Sequence, residues 1–195
     1  VKGLQVVPYL PGTPVYQDGV LAELYRRLRL ENKVELTFCG ENKSMDDFIS
    51  YFHRIKLIQV LCTVDEDGTL HPAGFSWVDN IRGPEGRRVA MPGEAFFKGS
   101  ERVSRTLAKL SLAYVMHEMR ISVFHGVQCV SNYPARNFAI RCGFKECAQI
   151  PKYHLVNGEW EDARIMILEA KDYLPGFWKW KEAIDQEQKP VEANS

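Results

Sequence analysis

The sequence predicts a single domain of the α/β (α+β) class, on three observations. Apolar runs with strand-like and helix-like periodicity share the whole chain. Residues 55–98 read as three consecutive antiparallel strands with no helix between them. Residues 125–144, HGVQCVSNYPARNFAIRCGF, hold a strand, a helix start and a helix stop. At 195 residues and 45% hydrophobic, the chain is long enough to bury roughly 70% of its unfolded surface in one core.

Residues 4–9 form a first strand that runs into a proline-containing loop. Val20, Leu21, Leu24, Tyr25 and Leu28 make an apolar stripe with arginines between, so 18–30 is an amphipathic helix capped by Asp18. Residues 34–39 read as a short strand. Ser44 caps a second helix with Met45, Phe48, Ile49 and Phe52 on one face, and its spacing to Asp47 imitates a capping box only loosely. The β-branched run 55–64, the acidic turn Asp65-Glu66-Asp67-Gly68 and the alternating run 73–78 make a hairpin. A Gly-rich turn at 82–86 leads into a third strand, which Pro92 and Gly93 interrupt. It is expected to begin or to bulge at Gly93.

Residues 98–102 are a polar link into the longest helix, whose stripe Val103, Leu107, Leu110, Tyr114 and Val115 runs to about Met119. After the short strand Val127, Cys129 and Val130, Ser131 and Asn132 can cap a helix, Pro134 sits where a missing N–H costs nothing, and Gly143 ends it. Asn157-Gly158 between runs 144–153 and 164–169 is a hairpin signal. Leu174, Phe177, Trp178 and Trp180 mark a packed C-terminal segment, with fraying expected beyond Ile184. One domain is expected over 1–185 and a disordered tail over 186–195.

Twenty-five Lys and Arg balance 25 Asp and Glu, so bulk charge points to neither a nucleic acid nor a polyanion. The five cysteines (Cys39, Cys62, Cys129, Cys142, Cys147) have no C-x-x-C spacing and lie mostly in apolar runs, as buried free thiols do in a reducing compartment. With no signal-like start and no 18-residue apolar run, a cytoplasmic protein without membrane contact is expected. The five histidines are scattered without a pair at ligand spacing, so no metal is expected.

The element order, with Asn132, Ala135, Gly143 and Phe144 as N-x-x-A…G-F, resembles the GNAT superfamily of acetyl-CoA-dependent N-acetyltransferases over roughly residues 1–170. A looser likeness is to phage-encoded members, in the passage Phe96-Phe97-Lys98 to Arg105-Thr106-x-x-x-Leu110-x-Leu112. The resemblance implies a mixed, mostly antiparallel central sheet of six or seven strands with about four helices, in which strands four and five splay apart. It implies acetyl-CoA or another acyl-CoA as co-substrate, its pantetheine arm lying between those strands, and an amine acceptor, small molecule or protein. A monomer or homodimer is expected.

In the family the pyrophosphate sits on the N–H groups opening the long helix, in a loop Q/R-x-x-G-x-G/A. This chain reads KGSERVSRTLAK over 98–109, with Gly99 alone and Ser104, Arg105 and Thr106 where the glycines would fall. Either hydroxyls and the charges of Lys98, Arg102, Arg105 and Lys109 replace close backbone approach, or the site has decayed; the same pattern also describes a solvated helix turn. Four basic residues stand there against one acid, Glu101.

The resemblance assigns the general base to Glu94, on the same strand face as Phe96, where burial would raise its pKa; a surface carboxylate paired with Arg87 or Arg88 fits the same pattern. It assigns CoA binding to Phe96, Phe97, Arg102, Ser104, Arg105 and Thr106, and to Asn132 and Arg136 on the following helix. The family's thiolate acid, a tyrosine seven residues beyond Asn132, is here Ala139, leaving Tyr133, Tyr153 or water to supply the proton. The rival function is a GNAT-fold binding or structural protein, related to the phage members, without turnover.

Overall fold

The computed structural model describes residues 3–9, 18–38, 44–55, 57–156 and 158–187. In chain order the elements are β1 (Gly3–Tyr9), α1 (Asp18–Leu30), α2 (Val34–Phe38), α3 (Met45–Phe52), β2 (Leu57–Val64), β3 (Leu70–Arg82) and β4 (Arg88–Phe96). They continue with α4 (Glu101–Glu118), β5 (Ile121–Cys129), α5 (Tyr133–Cys142), β6 (Lys145–Val156), β7 (Glu159–Glu169) and α6 (Ala170–Glu187). One seven-stranded sheet runs β1-β2-β3-β4-β5-β7-β6, and every pair is antiparallel except β4–β5.

The sheet divides two cores. Its front face is covered by α1, α2 and α3, whose Leu21, Leu24, Phe38 and Phe48 meet Phe75 and Trp77 of β3. Its back face is covered by α4, α5 and α6, where Leu112, Met116 and Cys142 meet Val78, Ala90 and Phe124. Phe48, Phe52, Phe75 and Phe124 are fully enclosed, so truncating any of them to alanine costs about 3–5 kcal/mol.

Several boundaries differ from the sequence expectation. Residues 34–38 are helical, because Val34 and Phe38 lie one turn apart and both pack into the front core; Cys39 lies outside the described residues. The side chain of Asp18, expected as a cap, also lies outside them. At α3 the capping box is complete: Ser44 Oγ accepts from Asp47 N–H at 3.1 Å, and Asp47 Oδ2 accepts from Ser44 N–H at 3.3 Å. Among the described residues six helices stand where about four were expected, since α2 is one short turn and the aromatic C-terminal segment is the helix α6. That helix continues to Glu187, past the expected fraying point, and residues 188–195 lie outside the described ones.

The third meander strand starts at Arg88 and runs straight through Pro92, which pairs in register with Val78. The irregularity expected at Gly93 falls instead opposite the β3–β4 turn, between Asp79 and Arg82. Pro92 costs no ladder bond to β5, because β5 has already departed after Ala90. Gly93 is required by packing: a Cβ there would stand 2.1 Å from the Trp77 indole.

The Asn132 cap is as expected, its Oδ1 accepting from Ala135 N–H at 3.2 Å, and Gly143 closes α5 at φ 107°. In the last hairpin Asn157 lies outside the described residues, while Leu155 pairs Trp160 and Val156 pairs Glu159. Among the described residues the free thiols of Cys62, Cys129 and Cys142 are buried and that of Cys147 is exposed. No helix among them is long and apolar enough to cross a membrane.

Candidate functional site

The site follows from the one parallel pair in the sheet. Strands β4 and β5 pair only at Arg88↔Ile121, Val89↔Val123 and Ala90↔Phe124. Beyond that point β4 is paired to β3 alone and β5 to β7 alone, so their facing edges present backbone N–H and C=O groups to a gap. A cavity of about 650 Å³ occupies it and is lined from both faces. Tyr51, Trp77 and Asp79 stand on the front side, Glu94, Leu112 and Cys142 on the back, and Gln128 and Asn132 on the β5 side.

Glu94 alternates with Ala95, which points into the front core, so its carboxyl faces α4 and α5. Oε1 is enclosed and has no hydrogen-bond partner among the described residues. Burial raises its pKa to about 8. Cys142 lies close by: burial first, then the Glu94 charge, push its thiol up to about 12. Gln128 Oε1 is a second enclosed acceptor without a partner among the described residues. Two orphaned acceptors on an open-edged slot fit a ligand with amide N–H donors, which a pantetheine arm has.

The other expected site residues divide. Phe96 lines the slot, its ring 5.5 Å from Phe138, and Asn132 lines it while capping α5. Phe97 faces the front core instead, 5% exposed, with the Arg27 guanidinium 5.2 Å over its ring. Arg102, Ser104, Arg105 and Thr106 sit on the first turns of α4, away from the described slot lining. Ser104 Oγ donates to the Glu101 carbonyl at 3.2 Å. Arg136 is paired with Glu146, its Nε 2.8 Å from Oε2. Lys109 Nζ lies 5.5 Å from the centre of the Trp180 ring.

The start of α4 is the second departure. Lys98 N–H donates to both carboxylate oxygens of Glu31, at 2.9 and 2.8 Å, and Gly99 N–H donates to Glu101 Oε1 at 3.1 Å. Val103 and Ser104 N–H already bond the Ser100 carbonyl. Backbone donors that would meet an incoming phosphate thus hold the chain's own acids. Glu31, brought by the α1–α2 turn, was no part of the expected charge balance there. Its carboxylate also pairs with Lys33 Nζ at 2.6 Å, and that ammonium donates to the Phe96 carbonyl at 2.9 Å.

Sequence reasoning missed the front wall. Trp77 Nε1–H donates to Tyr51 Oη at 3.2 Å, and Tyr51 O–H donates to Asp79 Oδ2 at 3.3 Å. The alternation Phe75, Trp77, Asp79 was the available signal, since it sets the acid on the aromatic face of β3. It also missed His154. A β6 irregularity between Ile150 and His154, with Lys152 at φ 49°, turns that ring into the lining. Asp162 holds the irregularity by accepting from Lys152 N–H and Gln149 Nε2. Tyr133 and Tyr153, expected as acid candidates, are 57% and 49% exposed.

No protein-family model matches the chain, and no curated protein matches it in sequence. Solved structures match in fold. Spermidine N-acetyltransferase from Vibrio cholerae, in complex with CoA and spermine, superposes with TM-score 0.66 at 17% identity, over 88% of this chain and 98% of that one. A GNAT-family acetyltransferase from Bacillus anthracis superposes with TM-score 0.65 at 12% identity, over 86% and 96%. With its element order and parted central strands, the chain has the fold of the GNAT acetyltransferases.

Proposed function

We propose that this protein transfers an acetyl or other acyl group from acyl-CoA to an amine, within the cytoplasm. The observation that carries the reading is the open-edged slot between β4 and β5 with the unpartnered acceptors of Glu94 and Gln128 inside it. An extended arm laid there satisfies strand edges that would otherwise meet only water. Asn132 contributes its side-chain amide nitrogen, which has no intrachain partner among the described residues while Oδ1 caps α5.

In the reaction the Glu94 carboxylate takes a proton, through water, from the acceptor ammonium. The freed nitrogen then attacks the thioester carbonyl carbon, the C–N bond forms, the nitrogen gives up its second proton to water, the C–S bond breaks, and the thiolate leaves with the electron pair. A carboxyl of pKa about 8 is a far stronger base toward an ammonium than one at the ordinary 4.5. Ala139 offers no acid, so the thiolate takes its proton from water. Arg102, Arg105 and Thr106 supply the phosphate end with side-chain charge and a hydroxyl.

Isothermal titration with acetyl-CoA and CoA, followed by thiol release over a panel of amines, tests the reading. Saturable binding and turnover lost in Glu94→Gln support it, and absence of binding at millimolar ligand overturns it. A second reading has one observation in its favour: Glu31 and Glu101 already occupy the Lys98 and Gly99 N–H groups just before α4. It makes the chain a GNAT-fold binding or structural protein akin to phage-encoded members, and it predicts no turnover with any amine.

A further inference from the structure

We propose that Gln59, two strands away from Glu94, sets the proton affinity of that carboxyl by holding the Ser76 hydroxyl so that a lone pair, rather than a proton, faces the acid. Gln59 is a positioning residue, since it does not line the slot. The consequence for turnover rests on the acyl-transfer reading, but the effect on Glu94 does not.

A polar row crosses the back face of the sheet. Gln59 of β2 pairs directly with Ser76 of β3, and Ser76 pairs directly with Glu94 of β4. Helix α4 lays Ser111 over the row, and Gln59, Ser76 and Ser111 are all buried. Three oxygens form a closed triangle there. Ser111 Oγ lies 2.6 Å from Gln59 Oε1, Ser76 Oγ lies 3.0 Å from the same oxygen, and the two hydroxyls are 2.7 Å apart. The amide oxygen carries no proton, so two hydroxyl protons serve all three contacts. Both are consumed inside the triangle, and neither is left for β4. What Ser76 turns toward Glu94 is therefore an oxygen lone pair.

That orientation suits a protonated carboxyl and opposes a carboxylate. Opposed residues on antiparallel strands have Cβ atoms about 5 Å apart, so a hydroxyl on one and a carboxyl on the other can meet by a change of rotamer. Yet Glu94 Oε1 has no hydrogen-bond partner among the described residues. An acceptor facing the acid favours its O–H form, whereas a donor there would favour the ion. Gln59 withholds that donor at a cost, for its own Nε2 is enclosed and has no acceptor among the described residues. The other groups facing Glu94 are neutral near pH 7: burial first pushes the Cys142 thiol of α5 up to about 12 and the Tyr173 phenol of α6 above its ordinary range. The α4 cations Lys109 and Arg105 bear on Cys142, and Asp79 and His154 line the same cavity. Ser76 is the hydroxyl directly opposite the acid, and the direction of its proton is what Gln59 controls.

The test follows the Glu94 carboxyl by NMR pH titration of the unliganded protein, labelled with carbon-13 in its glutamate side chains; the resonance is identified by its loss in Glu94→Gln. Gln59→Met removes the amide at nearly constant volume and releases the serine protons. Ser76 can then donate to the carboxylate, and the proton affinity of Glu94 is expected to fall about tenfold. Ser111→Ala leaves the Ser76 proton on Gln59 and should change it by less than about twofold. Ser76→Ala removes the facing lone pair and should lower it about threefold, and adding Gln59→Met to that variant should do nothing more. Near-ultraviolet circular dichroism confirms that each variant is folded; if Gln59→Met is not, Gln59→Leu and Ser76→Ala still decide. An unchanged or raised proton affinity in Gln59→Met overturns the inference, since the amide would then present its N–H groups to the serines. An equal fall with and without Ser76 also overturns it, as a merely structural effect. Where turnover is found, the kcat/KM profile of Gln59→Met shifts to lower pH by the same factor. Failure of the acyl-transfer reading shows separately, as absent acetyl-CoA binding, and the carboxyl titration still decides the role of Gln59.

Discussion

Replacing Glu94 by glutamine should flatten the pH dependence of folding stability. The carboxyl has a folded-state pKa of about 8 because burial disfavours its charge, against an ordinary value of 4.5. Below pH 4.5 it is protonated whether the chain is folded or not, and it costs nothing. Between 4.5 and about 8 the unfolded chain loses the proton while the folded chain keeps it, so stability falls as pH rises, and above 8 the loss is complete. The interval from 4.5 to about 8, at about 1.4 kcal/mol per pH unit, bounds the loss at about 5 kcal/mol. Because Glu94 keeps part of its surface, roughly 2–4 kcal/mol is the expected size. Glutamine has the same shape and no charge to bury. Urea unfolding at pH 5 and pH 8.5 measures the difference: the two proteins should agree within about 1 kcal/mol at pH 5, and the variant should be the more stable at pH 8.5. Parallel pH dependence in the two proteins would refute a buried, neutral carboxyl at this position. The same group read kinetically gives kcat/KM rising toward a pH of about 8, and a rate falling there would make it an acid.

Gly93→Ala should destabilise by about 3 kcal/mol or more, because its Cβ would meet the Trp77 ring at 2.1 Å and that ring is hemmed by Phe38, Phe52 and Phe75 at 5.4, 5.4 and 5.6 Å. Denaturant unfolding and the tryptophan emission maximum check it, and a loss under about 1 kcal/mol speaks against the packing described. Glu31→Gln should cost about 1–2 kcal/mol of stability by weakening the charge-assisted bonds to Lys98 N–H and Lys33. It should also raise CoA affinity by about three- to tenfold, because a phosphate no longer competes with a carboxylate for the loop; calorimetry showing unchanged or weaker CoA binding excludes that competition.

The fold was legible because its marks are local. The Ser131-Asn132 cap, Gly143, the acidic Gly68 turn and the alternation Phe75, Trp77 each specify an element within a few residues, and their order along the chain carries the topology. What escaped depends on neighbours distant in sequence. Residues 34–38 have no periodicity long enough to choose between strand and helix, and the choice is made by Phe38 entering a core built from α1 and α3. Glu94 was legible as a strand residue sharing a face with Phe96, but its burial depends on α4 and α5. Glu31 reaches Lys98 across 67 positions, which no motif registers. Phe97 is a site candidate by adjacency to Phe96, yet strand alternation turns it to the opposite core.

The two carboxyl groups of the slot have opposite surroundings, and the sheet is the reason. A strand sends successive side chains to opposite faces, so Asp79 on β3 looks toward α3, where a phenol and a backbone N–H meet it. Glu94 on β4 looks toward α4 and α5, where Leu112, Phe138 and Cys142 offer its enclosed oxygen no donor. In an ordinary sheet such residues would be separated by a continuous hydrogen-bonded layer. Here the parting of β4 from β5 after Ala90 removes the layer between them, and one cavity reaches both. Glu94, denied donors and buried, has its pKa raised to about 8 and so exchanges its proton near neutral pH. The contrast between a carboxyl held by donors and one denied them therefore follows from strand alternation combined with a single unpaired stretch of sheet.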